Sequence, residues 1–123
     1  MKIVLVCGGR DYNDWDHMCV VLSDLLNGDG ISRIVHGDAR GADRMAGAWA
    51  KLVDIPVTTY PADWVKHGKA AGPIRNQLML DSEAIDMVVS FPGGRGTADM
   101  VKRATAKGIP VVEVSDQQTS NTV

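Results

Sequence analysis

One local pattern, met three times, constrains this chain more than any other feature. A short apolar run closes on a glycine-bearing turn that carries arginine and aspartate, and a helix-compatible segment follows. The three instances are KIVLVCGGRD (Lys2 to Asp11), ISRIVHGDARGAD (Ile31 to Asp43) and MVVSFPGGRGTAD (Met87 to Asp99). Runs this apolar predict strands buried on both faces, the mark of a parallel sheet covered by helices. A glycine turn lets the backbone approach a ligand closely. The free N–H groups and dipole of the helix that follows favour an anion there, and phosphate is the obvious one. A tight strand-to-helix connection that binds nothing is the plain alternative for any one such turn.

In chain order, Lys2 to Cys7 is the first predicted strand, ending in Gly8-Gly9, with Arg10 and Asp11 in the turn. Asn13 or Asp14 can cap a helix whose apolar positions Trp15, Met18, Cys19, Leu22, Leu25 and Leu26 recur at three and four, and Asn27-Gly28 stops it. Ile31 to His36 is strand two. A helix from about Ala42 to Val53 follows, its small residues suited to close packing on a sheet. Pro56 to Tyr60 is strand three. The polar segment Pro61 to Gly72 has no sustained period and reads as a long loop. Pro73 suits the first position of a helix reaching about Glu83, which places Arg75 and Asn76 in its opening turns. Met87 to Phe91 is strand four, Thr97 is the expected N-cap of a helix ending at Lys107 with Gly108 as its cap, and Pro110 to Val114 is strand five.

This alternation predicts an α/β fold: one Rossmann-like three-layer domain over residues 1–114, with a five-stranded parallel sheet in the order 3-2-1-4-5 and a flexible polar tail over 115–123. Ligands of such sheets bind beyond the carboxyl ends of the strands where the order reverses. That point brings Gly8, Gly9, Arg10 and Asp11 beside Gly93, Gly94, Arg95, Gly96 and Thr97, with Gly37, Arg40, Gly41 and Asp43 next to them. Arg10, Arg40, Arg44, Arg75 and Arg95 all fall in these loops or the helical turns after them. They predict a shared anion site, against the alternative that Asp11, Asp38, Asp43 and Asp99 merely pair with them.

Charge and length exclude other classes. At 123 residues the chain makes one domain with a core of its own, and a formal charge of −2 supplies no basic surface for nucleic acid. No apolar run approaches membrane-spanning length and the start carries no signal-peptide core, so a cytoplasmic protein is expected, with Cys7 and Cys19 reduced. The only Gly-Lys pair, Gly68-Lys69, is followed by Ala70, which excludes a P-loop, and the scattered His17, His36 and His67 give no metal site. Trp64 can stack on a base or cover the sheet edge.

The series VCGGRDY, HGDARGAD, ADW, AGPIRNQLM and FPGGRGT resembles the YspA-type, cpYpsA-related branch of the SLOG superfamily, in order and spacing over nearly the whole chain up to Val114. That superfamily comprises Rossmann-like domains that bind or process nucleotides and their derivatives, including the lonely-guy phosphoribohydrolases, nucleotide-sensing domains and a single-strand DNA-binding branch. The resemblance implies phosphate binding at Pro92 to Thr97 and matches Arg75 to the hydrolases' helix arginine. Where those hydrolases carry a glutamate three residues after the threonine, this chain has Met100, which can neither activate water nor stabilise an oxocarbenium-like centre. Asp99 beside it is turned by about 100° on a helix, which leaves Asp11 and Asp43 as the better carboxylates.

The expected function is therefore binding of a phosphate-bearing nucleotide or derivative, as sensor or processor. The ligand residues expected are those of the three loops together with Trp64, Arg75 and Asn76, and Arg75, Asp11 and Asp43 are the catalytic candidates if the ligand is cleaved. The alternative is a phosphoribohydrolase, an N-glycosidase acting on nucleoside 5′-monophosphates. Single-stranded nucleic acid ranks third for want of a basic groove. No cofactor, metal or membrane is implied, and a homodimer or higher homo-oligomer is expected from the superfamily's habits and the Met- and Trp-bearing helix faces.

Overall fold

The computed structural model describes residues 1–115. Five strands, β1 (Lys2–Cys7), β2 (Ile31–His36), β3 (Val57–Thr59), β4 (Met87–Ser90) and β5 (Val111–Glu113), form one sheet in the order β3-β2-β1-β4-β5. Every neighbouring pair is parallel. Helices α1 (Trp15–Asn27) and α2 (Ala42–Leu52) cover one face, and α4 (Ala71–Ser82) and α5 (Arg95–Ala106) the other. The alternation of side chains along a strand builds the two cores directly. Val4 and Val6 of β1 pack with Met18, Leu22, Ala46 and Trp49, while Leu5 and Cys7 pack with Met79, Leu80, Met100 and Ala104. Each fully buried leucine, Leu5 and Leu22 among them, contributes roughly 1.5–3 kcal/mol relative to an exposed one.

The Rossmann-like α/β architecture and strand order are those expected, and among the described residues no helix is long and apolar enough to cross a membrane. Three local expectations are corrected. The segment read as a loop holds a short helix, α3 (Trp64–His67), then a 3₁₀ turn (Gly68–Ala70) running straight into α4. Asp63 starts it by accepting from the Lys66 N–H at 3.0 Å, a cap that outweighs the missing apolar period. Pro73 is consequently the third residue of α4 rather than its first, still within the turn whose N–H groups lack intrahelical partners. Helix α5 begins at Arg95 with Gly94 as N-cap, so Thr97 lies inside its first turn and caps nothing. The polar tail lies outside the described residues apart from Ser115.

Candidate functional site

Three loops meet at the switch point, and their backbones lock together. The Gly9 N–H donates to the Pro92 carbonyl at 2.9 Å, and the Gly9 carbonyl accepts from Tyr12 N–H at 3.2 Å and Ala42 N–H at 3.1 Å. A β-carbon at Gly93 would fall 2.6 Å from the Gly9 nitrogen, and one at Gly41 would lie on the Gly9 carbonyl. Gly41 also holds φ +82°, a conformation that L side chains rarely adopt. The glycines at the loop tips differ: a β-carbon at Gly94 or Gly96 meets nothing within 4 Å.

Above this junction lies a cleft of about 1050 Å³ at the carboxyl edge of the sheet. Of the residues singled out from sequence, Gly8, Gly9, Arg10, Asp11, Asp43, Trp64, Arg75, Asn76, Gly93, Gly94, Arg95, Gly96 and Thr97 line it. Gly37 and Arg40 do not; they line a smaller recess of about 420 Å³ alongside, and Gly41 lines neither, its role being to let α2 close onto β1. Lys69, not expected as a ligand residue, and Asp99, set aside as a carboxylate, also line the cleft.

The loops after β2 and β4 look alike in sequence and behave differently. After β2, Gly37 N–H and Ala39 N–H donate to Asp43 Oδ2 at 3.0 and 3.3 Å. Between them Asp38 N–H donates to His36 Nδ1 at 2.9 Å. The N–H groups of Gly37, Asp38 and Ala39 are thus taken up within the loop itself. After β4, the N-terminus of α5 carries no side-chain cap, and its first intrahelical backbone bond is Ala98 N–H to the Gly94 carbonyl at 3.0 Å. The N–H groups of Arg95, Gly96 and Thr97 precede that bond, and these residues line the cleft, where the helix dipole adds positive potential.

Asp43 is the chemically unusual carboxylate. It is 6% exposed. Burial pushes its pKa up to about 6, against the hydrogen bonds from Ala39 and Gly37 and the nearby Arg75, which pull it down. Asp11, the other aspartate considered, is exposed and paired with Arg40 at 3.2 Å, within water's reach. Cys7 lines the cleft too, but burial pushes its thiol up to about 12, so it is inert as a nucleophile.

Helix α4 turns its polar pair inward and leaves Ile74 and Leu78 exposed. Half-buried Arg75 donates from Nη1 to the Gly37 carbonyl at 2.6 Å and from Nε to Asn76 Oδ1 at 3.0 Å. Asn76 donates on to Asp99 Oδ2 at 2.9 Å and the Gly96 carbonyl at 3.3 Å, and Arg103 meets the same Asp99 oxygen at 2.8 Å. Burial alone would raise the Asp99 carboxyl, but the bonds from Arg103 and Asn76 outweigh it and hold the group below its ordinary value. Asp99 thus stands ionised at the cleft wall while Met100, 1% exposed, points into the core. The rotation that argued against Asp99 is what turns it to the cleft, because Met100 takes the inward face of α5. Arg10 lies over the Trp64 ring at 5.3 Å from its centroid, closing one side of the cleft with a cation–π stack.

The sequence model of the YspA, cpYpsA-related SLOG family matches residues 2–67. That span contains VCGGRDY, HGDARGAD and ADW; the α4 pair and the β4 turn lie beyond it. The chain is also 36% identical over 125 residues to the Gene 61 protein of Mycobacterium phage D29, an alignment covering 95% of this chain and 99% of that protein.

Proposed function

Because this chain belongs to the YspA, cpYpsA-related SLOG family, we propose that its cleft binds a phosphate-bearing nucleotide or nucleotide derivative, with the phosphate on the N-terminus of α5. The observation that carries the reading is the uncapped turn Gly94 to Thr97, with Arg95 beside it, opening into the larger cleft. Its volume, about 1050 Å³, is that of a site for a ligand the size of a nucleotide. Free N–H groups, a dipole and a guanidinium converge there on one anion.

Titration calorimetry with a panel of nucleoside 5′-monophosphates tests this. Gly94→Leu puts a side chain where nothing of the protein stands, so the fold is retained while affinity falls at least about tenfold, the loss of one charge-assisted contact. Unchanged affinity with native circular dichroism would make the turn merely structural. Arg75→Ala is the poorer probe, because Arg75 supports the loop after β2 through the Gly37 carbonyl.

A second reading, cleavage of the N-glycosidic bond, is favoured by one observation: Asp43 lines the cleft with its pKa raised to about 6, suited to pass a proton near neutral pH. Chromatographic detection of free base, abolished by Asp43→Asn, would install that activity. Binding without base release leaves the protein a binder.

A further inference from the structure

We infer that the smaller recess beside the cleft is a second anion subsite, and that the ligand is a nucleotide bearing two phosphoryl groups held apart by a ring. The inference rests on the nucleotide reading above and adds a second charge to it. The recess, of about 420 Å³, is lined by Arg10, Arg40, Arg44 and Arg75, with Asp38 the acidic residue among them. Four arginines thus surround a small space lined by one carboxylate, in a chain of net charge −2. Arg40 pairs with Asp11 at 3.2 Å and Arg44 with Asp38 at 3.4 Å, both between exposed side chains. Pairs of that kind contribute little and yield to a phosphate that takes two N–H bonds from each guanidinium. Arg75 spends Nε and Nη1 on the protein, which fixes it at the boundary between the two spaces.

The boundary itself indicates the shape of the ligand. Arg10 and Trp64 line both spaces and stack on each other at 5.3 Å. The wall is therefore one side-chain layer thick. A flat ring laid on Trp64 takes the place of the Arg10 guanidinium, which then turns to a phosphoryl group on either side. Two phosphoryl groups joined as a pyrophosphate would share one subsite; a nucleoside with a phosphate at each end of its sugar puts one in each.

The test is titration calorimetry of the full chain with the 5′-monophosphates, 5′-diphosphates and 3′,5′-bisphosphates of adenosine, guanosine, cytidine and uridine. For the preferred base the bisphosphate binds at least about tenfold more tightly than the monophosphate, the gain from charged hydrogen bonds at a second site. In Arg40→Gln/Arg44→Gln that ratio falls to about one. Raising the salt concentration on the wild type also lowers the ratio, a readout that needs no variant. A wild-type ratio of one, a ratio that survives the double substitution, or an equal gain from the 5′-diphosphate overturns the inference while the nucleotide reading stands. Failure of every nucleotide to bind removes both.

Discussion

At the scale of single residues, Asp43 has the most definite consequence. Its folded pKa, raised to about 6, exceeds the ordinary carboxyl value of 3.8. Between those values the folded chain holds a proton that the unfolded chain has released, so this group makes stability fall as pH rises through that window and remain level above it. Replacing the carboxyl by an amide in Asp43→Asn keeps an acceptor for Gly37 and Ala39 without the charge. Urea unfolding across pH 4 to 7 should show Asp43→Asn losing less stability over the window than the wild type, by up to about 3 kcal/mol. Equal pH profiles would mean that the carboxyl is hydrated and ordinary. Asp43 was legible as a candidate because aspartate follows a glycine turn. Its distinction from Asp11 was not, since the two differ in burial, which depends on α2 closing over β1.

Secondary elements carry the glycine logic. Gly41→Ala forces a side chain into φ +82° and onto the Gly9 carbonyl, so the α2–β1 junction should lose at least about 1–3 kcal/mol, overpacking and backbone strain acting together. Gly94→Ala should leave the thermal midpoint nearly unchanged, as its β-carbon meets nothing; similar losses at both positions would show that the junction is softer than its contacts suggest. Strands and their order were readable from apolar runs separated by glycine turns. Helix α3 was not, because none of its residues is buried and only the Asp63 cap marks its start. The N-cap of α5 was misplaced by three residues because threonine is the better-known cap, whereas Gly94 opens this helix without a side-chain bond. Within that helix Asp99 faces the cleft and Met100 the core.

The whole molecule gathers five of its seven arginines at the carboxyl edge of the sheet while its net charge stays at −2. A concave, local positive patch of this kind suits a small anion and leaves a polymer's backbone without a track. Fluorescence anisotropy with a single-stranded oligonucleotide of about twenty residues should give dissociation constants above the micromolar range at physiological salt; submicromolar binding with a steep salt slope would reverse the ranking. The meeting of Gly9, Gly41 and Gly93 has a consequence for substitution. Main-chain hydrogen bonds through the Gly9 N–H and carbonyl join the three loops there. A side chain such as Arg95, which stands on the loop tip and takes no part in those bonds, can be replaced without loosening that frame. The junction therefore behaves as a hinge-free socket: its geometry is set by backbone bonds, and what stands above it can change in charge and shape independently.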